Sequence, residues 1–584
     1  MIDYFSDNYA ILDIETTNFD YGHAKHKQNR YILGWLYCNV KKQYYRITTA
    51  DFSDLRQYDF VVAHGAKFEC GWLIRFGAEG LNWYDTLQGE YVIAGNRASG
   101  EYYPRYGLSL EVSLERYGLG SKEPLVKKMI HDDEICPSEI PESWLSDYCR
   151  EDVRQTLRLF LAQRKVLRER NLLPVVYTRN QVMPILAELE MRGMCLDKAA
   201  VAEMYAQHVQ KHSELLREIE ELASGINFAS PKQVGEFMYD VLRFKELHNR
   251  WGKPIRGKRT KRQPDGSRKT DLPTLMQLKA VTKQQKRFIE LKKEESNYRK
   301  ALNTYLKPFN ELHGNILQGH LNQSVTATHR LSSSRPNIQN IDREFKKLFV
   351  PRNTGWVMME ADWGKLEFGC AGFLSKDATI MREMAEGYDV HMHTASVLLD
   401  KPETSITAQE RTEAKPRTFK PLYGGSRGTE AEERYFEDFK SKYSTLTDVQ
   451  EGWVSEALDK HCITMPTGLR FYFNNLKLTQ SGYIEGSTQV KNYPVQYFAT
   501  GEIAQIGAVL VHRALELNNL KSFLVLLVHD SILAEVHPDE VEKVRSIMEH
   551  EMTDGVIKYL QQVYGICYDV ALPVEIKSGP TWGG

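Results

Sequence analysis

The 584-residue chain has no apolar run of about 18 residues, which excludes a predicted membrane-spanning helix. It has no CxxC pair. Its eight cysteines (Cys38, Cys70, Cys136, Cys149, Cys195, Cys370, Cys462 and Cys567) are scattered, which fits neither a disulfide framework nor a zinc site and suits a reducing compartment. It has almost no net charge, −1 at pH 7, so any nucleic-acid partner must be met by local patches. Internal repeats and low-complexity tracts are absent as well. The start, "MIDYFSDNYAILDIETT", is acidic and runs directly into a strand-like segment, unlike a signal peptide. What remains, 42% hydrophobic and 26% charged, is ordinary for a soluble protein, and the length predicts about four domains or subdomains.

One charged patch stands out. "GKPIRGKRTKRQPDGSRKT", residues 252–270, carries eight Lys or Arg against one Asp and cannot bury a core, so it reads as a loop. Taken alone it is a solvated linker. Between the amphipathic segments "SPKQVGEFMYDVLRF" and "LMQLKAVTKQQKRFIELKKEESNYRKALNTYLKPF" it becomes a basic tip on a helical pair, suited to gripping phosphates. Residues 1 to about 170 read as α/β, with strands in "YAILDIETT", "RYILGWLYCNV", "QYYRITT" and "FVVAHG" and a long helix in "SWLSDYCREDVRQTLRLFLAQRKVLRER". Pro174 marks a domain boundary. Residues from about 175 to 310 read as helical, and strands and helices mix beyond 320.

The segment "LVLLVHDSILAEV", residues 524–536, poses the chemical question. It reads as a buried strand with one carboxylate, Asp530, inside its apolar run. Either His529-Asp530-Ser531 is a polar hairpin tip, or Asp530 holds a metal with a second carboxylate. "WVMMEADWGKLEFGC" supplies that partner: a strand ending in Asp362, then a helix start with Glu367. Two such aspartates suit a pair of divalent ions about 3.5–4 Å apart, which would remove the carboxylates' repulsion and clamp a phosphoryl transfer. Between them, "RTEAKPRTFKPLYGG" puts Arg411, Lys415, Phe419 and Tyr423 at intervals of four, one helical stripe rising about 6 Å per step. Two cations followed by two rings match a nucleoside triphosphate. The bland alternative is an amphipathic surface helix, which would rarely carry Pro416 and Pro421.

The pattern R-x3-K-x3-F-x3-Y-G, between D-x4-E and H-D, resembles a family A DNA polymerase. "THRLSSSRPNIQNI", "GYDVHMHTA", "KNYPVQYFATGEIA", "SPKQV" and "YRKALNTY" carry the resemblance along nearly the whole chain. It implies a multidomain α/β protein: a ribonuclease H-like exonuclease domain over 1–172, then a right-hand polymerase over 173–584. The polymerase would have a helical thumb at about 175–320, an antiparallel-sheet palm at about 321–380 and 490–584, and helical fingers at about 381–489. By the same resemblance Asp362 and Asp530 would hold two Mg²⁺ ions. Arg411, Lys415 and His391 would bind the triphosphate, with Lys415 protonating the leaving pyrophosphate. Phe419 would stack by the incoming sugar and base, and Tyr423 would close the pocket. Glu367 would exclude a ribose 2′-hydroxyl. Arg330, Asn492 and Gln496 would touch the template-primer, and His529 would position the primer end. Two departures are Ser531, where many relatives have a carboxylate, and Gly369, where Arg is frequent.

In the N-terminal segment "ILDIETT" puts Asp13 and Glu15 on one strand face, and "YCREDV" puts Tyr148 and Asp152 one helical turn apart. Alone each is usually a solvated polar face; together they resemble a DEDD-type 3′–5′ exonuclease. That resemblance implies two further Mg²⁺ ions held by Asp13, Glu15, Glu69 and Asp152, with Tyr148 orienting the attacking water. "VVAHGAKFECGWL" has Gly65 and Glu69 where the family has Asn and Asp, and Asp85 is a secondary substitute. The chain opens at this domain with no 5′-nuclease domain expected before it. With "TFKPLYGG", that resembles bacteriophage replicative polymerases and implies a monomer at work in the infected host's cytoplasm on template-primer DNA and deoxynucleoside triphosphates, with no membrane partner. The rivals are a polymerase with a purely structural exonuclease domain, a nuclease with a nucleic-acid-binding C-terminal half, a non-catalytic scaffold, and a single-subunit RNA polymerase, against which Glu367 argues.

Overall fold

The computed structural model describes the chain except for residues 100–105, 121–124, 249–252, 258–265, 267, 426 and 481. Much of the predicted basic loop, at 252, 258–265 and 267, therefore lies outside the described residues. The chain divides into two compact units. One comprises Met1–Met194, Gln318–Asn340 and Pro351–Gly584; the other comprises Cys195–Leu317 and Ile341–Val350.

The larger unit contains two sheets. The first has β1 (Tyr9–Thr16), β2 (Tyr31–Cys38), β3 (Gln43–Ile47), β4 (Phe60–Ala63) and β5 (Trp83–Asp85), in the order β3-β2-β1-β4-β5. β1 runs antiparallel to β2 and parallel to β4. The four strands expected from sequence are present, and β5 is an addition. Consecutive residues of β1 are buried, because a central strand is covered on both faces; Asp13 is the only one of its eight residues that is partly exposed. Helices α1 (Lys67–Arg75), α2 (Thr86–Ala94), α3 (Glu142–Glu169) and α4 (Leu173–Arg192) follow. Pro174 sits in the first turn of α4, where its missing N–H leaves no bond unmade. α4, assigned on sequence to the thumb, belongs to the larger unit. Its buried Arg179 donates twice to Glu502, at 2.8 and 3.2 Å, tying it to the helical turn Tyr497–Ile503.

The second sheet has β6 (Val357–Trp363), β7 (Phe523–Val528), β8 (Ser531–Val536) and β9 (Val574–Gly579), in the order β7-β8-β6-β9, all antiparallel. The same unit contains α5 (Leu366–Ser375), α6 (Val390–Leu399), α7 (Ala408–Thr418), α8 (Ser487–Gln496) and α9 (Ala504–Leu517), the last packed on β7.

The smaller unit pairs the helices Lys198–Leu222 and Lys283–Lys300, the latter continuing helically to Glu311. Phe228, Phe237 and Phe244 pack around the fully buried Phe288. The helix expected from Leu275 starts only at Lys283. The reason is local: Thr282 accepts from the Gln285 N–H while the Gln285 side chain accepts from Thr282, a capping box that fixes the start. Arg256 and Arg268, at the base of the basic segment, pair with Glu246 and Asp240.

Candidate active sites

His529 and Asp530 form the two-residue turn between β7 and β8. Val528 pairs with Ser531 across it, and His529 adopts φ +52°. The hairpin-tip reading of this segment is therefore right, and the metal-site reading uses the same residues. Asp362 pairs in register with Ser531, and the Trp363 N–H donates to the Asp530 carbonyl at 3.1 Å, so the two aspartates adjoin across β6 and β8. Asp362 is exposed and Asp530 half-buried. Burial raises the Asp530 carboxyl pKa, against the opposing pull of its own N–H, His529 and Arg330.

Glu367 enters α5 one residue after its start, and Arg330 Nη1 lies 3.6 Å from its carboxylate. Burial raises the Glu367 carboxyl too; Arg330 opposes this and Asp530 adds to it. Both departures from the family pattern have packing roles. The buried Ser531 hydroxyl donates to the Val528 carbonyl at 3.2 Å and to Glu360 at 3.4 Å. At Gly369 a Cβ would come within 3.0 Å of the Met384 methyl.

Thr407 and Glu410 form a capping box that starts α7, and Arg411 and Lys415 stand on it one turn apart. The stripe predicted over 411–423 does not continue as one helix. α7 ends at Thr418, Phe419 leaves helical geometry at φ −99°, ψ 8°, and Pro421 opens a separate turn that carries Tyr423. Pro421 offers no N–H and would clash with the preceding turn, so the helix stops before it. Phe419 still faces the site, its ring 5.5 Å from His391 and 5.6 Å from Phe368. His391 Nδ1 lies 2.9 Å from the Thr418 hydroxyl. Burial, with Arg411 and Lys415 nearby, lowers the imidazole to about 4, which keeps it neutral at pH 7. Lys415 is exposed, whereas Arg411 Nε donates to Asp389 at 2.5 Å. Asp389 also caps α6 by accepting from the N–H groups of His391 and Met392. Sequence reasoning missed Asp389, although an Asp directly before an apolar helical run is a cap signal. Asn492 and Gln496 lie half-buried on α8, and the buried Asn492 Oδ1 has no hydrogen-bond partner among the described residues.

In the first sheet Asp13 and Glu15 share the face of β1 toward α3, which carries Tyr148 and Asp152. Ligand atoms of Asp13, Glu15 and Cys149 lie within 4.8 Å of one another, and the Cys149 thiol donates to the Asp13 carbonyl at 3.4 Å. Cys149 was not singled out from sequence. Glu69, on α1, is buried, and its Oε2 has no hydrogen-bond partner among the described residues. Burial, then Asp13, Asp85 and Glu15, hold its carboxyl well above the usual range. Burial also raises the Tyr148 hydroxyl, reinforced by Asp152, Glu15 and Asp13. These five predicted residues thus converge. Asp85 is otherwise engaged: its carboxylate accepts the N–H groups of Gly65 at 2.8 Å and Leu87 at 2.9 Å. Gly65 takes φ +79°, a conformation that glycine adopts without strain.

The sequence model of DNA polymerase family A matches residues 198–584. The chain belongs to this family. The family A chain is 27% identical over 428 residues to DNA polymerase I of Caldicellulosiruptor bescii, covering 69% of itself and 46% of that protein. To DNA polymerase I of Chloroflexus aurantiacus it is 25% identical over 547 residues, covering 89% and 54%. It spans about half the length of the curated relatives it matches. In fold it is similar to the POL domain of Pol1 from M. smegmatis, solved with DNA primer-template and dNTP. The TM-score is 0.75 at 20% identity, over 98% of this family A chain and 95% of that one.

Proposed function

We propose that the chain is a template-directed DNA polymerase that adds deoxynucleotides to a primer 3′ end, with a 3′–5′ proofreading nuclease in its N-terminal α/β segment. The observation that carries the reading is the adjacency of Asp362 and Asp530 across β6 and β8. Family membership and the shared fold support it. Both residues offer hard oxygen donors, and the raised Asp530 carboxyl is what a buried charge awaiting a cation would have, so the pair fits two Mg²⁺ ions. Bound there, Mg²⁺ would supply the positive charge that phosphoryl transfer needs at the attacking and leaving oxygens. The chain's own side chains do the rest. Arg411 would exchange Asp389 for the triphosphate, exposed Lys415 would bind beside it and give its proton to the leaving pyrophosphate, and neutral His391 would donate to a phosphate oxygen. Phe419 would stack on the incoming nucleotide and Tyr423 would close the pocket. Glu367, steadied by Arg330, would fill the space of a 2′-hydroxyl. Arg330, Asn492, Gln496 and His529 would meet the template-primer.

For the nuclease, the orphaned Glu69 oxygen and the mutual repulsion among Asp13, Glu15 and Glu69 fit a divalent pair completed by Asp152. Tyr148, its proton firmly held, would orient the attacking water. The assignments of 1–172 to the nuclease and 173–584 to the polymerase, and a monomeric phage enzyme acting in an infected bacterial cytoplasm, belong to the same proposal. Primer extension on a defined template, with deoxynucleotides and with ribonucleotides and with and without Mg²⁺, tests it. Metal-dependent deoxynucleotide addition is expected, and no extension in any combination would overturn it.

A further inference from the structure

His329 is fully buried, yet neither ring nitrogen has a hydrogen-bond partner among the described residues. A buried polar ring without partners weakens a fold, so its presence calls for another reason. The ring fills a slot between aromatic side chains from three elements. Tyr91 of α2 lies over it at 4.1 Å between ring centroids. Tyr497 stands edge-on at 5.7 Å, and Phe471, on the strand Arg470–Tyr472, edge-on at 6.5 Å. Burial, with the Arg179 guanidinium nearby, holds the imidazole well below its usual pKa, so it is neutral in the slot. Its backbone is held as well. His329 takes φ +58°, its N–H donates to the Thr326 carbonyl at 3.4 Å, and its carbonyl accepts from the Gln505 amide of α9 at 2.9 Å. A Cβ on Gly501 would come within 2.8 Å of the Thr328 carbonyl, so glycine lets that helical turn press on the loop.

The loop anchored in this way carries Arg330. The Thr326 hydroxyl donates to the Arg330 carbonyl at 2.8 Å, and the Tyr91 hydroxyl donates to the Thr326 carbonyl at 2.6 Å. Residues 326–330 thus form a closed turn, pinned by α2 at one end and by the His329 ring at the other. From it the Arg330 side chain reaches Glu367, 3.6 Å away. That separation exceeds a hydrogen bond, and a long flexible side chain so weakly held takes its direction from the backbone that launches it. We propose that His329, seated against Tyr91, is a positioning residue that aims Arg330 at Glu367, so that the N-terminal α/β segment takes part in choosing the sugar of the incoming nucleotide. This rests on the polymerase reading above, and within it on Glu367 as the residue that excludes a ribose.

The test is the ratio of kcat/KM for deoxynucleotide over ribonucleotide in primer extension by the full chain. It compares the natural protein with His329→Gly, His329→Asn and Tyr91→Phe, and Glu367→Ala with and without His329→Gly. Gly and Asn both accept the positive φ, so what these variants remove is the ring. Each should lower the ratio about tenfold. Tyr91→Phe keeps the aromatic slot, loses only the hydroxyl, and should lower the ratio about threefold, the effect of one hydrogen bond. A folding defect would slow both sugars alike and leave the ratio where it was. Because His329 acts through Glu367, adding His329→Gly to Glu367→Ala should change the ratio by less than about twofold. An unchanged ratio in all the single variants at His329 and Tyr91, or a His329→Gly effect that multiplies in full with that of Glu367→Ala, would overturn the inference. A natural protein that extends no primer, or a Glu367→Ala ratio equal to the natural one, would instead sink the reading on which it rests.

Discussion

Glu367 illustrates how a residue's role depends on what stands beside it. Its carboxylate is half-buried and faces Arg330, so its side chain has a fixed direction and fills a defined space. Glu367→Ala should open that space and raise ribonucleotide over deoxynucleotide incorporation by at least about tenfold, read as the ratio of kcat/KM values. Unchanged discrimination would remove Glu367 from the sugar site. Phe419, between His391 and Phe368, has no hydroxyl to offer a sugar. By the family resemblance, Phe419→Tyr should ease use of chain-terminating dideoxynucleotides, measured in competition with the normal substrate. Equal use by both versions would contradict its place beside the sugar. Asp362 and Asp530 were legible because a carboxylate inside an apolar strand run demands a reason. Asp389 was not, because its importance lies in a partner, Arg411, 22 residues away.

At the scale of elements, local patterns carried well where they were uninterrupted. The strand "YAILDIET" and the helix Glu142–Glu169 lie where their apolar patterns predict. Patterns failed where one residue stopped an element: Pro421 divides the 411–423 stripe, and Thr282 sets the helix start that apolar spacing put at Leu275. Packing between distant helices, which no motif announces, was not legible, and α4 shows its weight. Glu188 of α4 meets His512 of α9 at 3.0 Å, and Glu516 stands 3.4 Å from the other ring nitrogen. Burial alone would lower the His512 pKa, but the two carboxylates raise it to about 9. A histidine whose folded-state pKa exceeds its unfolded value stabilises the fold fully below about pH 6.5 and loses that contribution as pH rises through 9. The natural protein should therefore lose about 3 kcal/mol between pH 6.5 and 9.5 that His512→Asn does not lose, measured by urea unfolding at each pH. Parallel pH profiles would show that the triad contributes nothing.

At the scale of the whole molecule, the N-terminal sheet and the four-stranded sheet share one compact unit, yet their carboxylate clusters are separate. Asp13→Ala should abolish Mg²⁺-dependent removal of a mismatched 3′ nucleotide and leave extension intact. If the natural protein removes none and Asp13→Ala changes nothing, the N-terminal segment is a support only. Glu69→Asp reports how that site has settled. Lower hydrolysis means the backbone has adapted to the longer side chain, and higher hydrolysis means it has not. The central claim is that the hairpin tip at Asp530 and the strand end at Asp362 form one metal-dependent polymerase site. Asp530→Asn keeps the shape and hydrogen-bonding size of the turn while removing its charge. Primer extension and template-primer affinity, measured side by side on this variant, should give at least about a 10³-fold loss of extension with affinity within about twofold of the natural protein. Near-normal extension by Asp530→Asn would contradict the account.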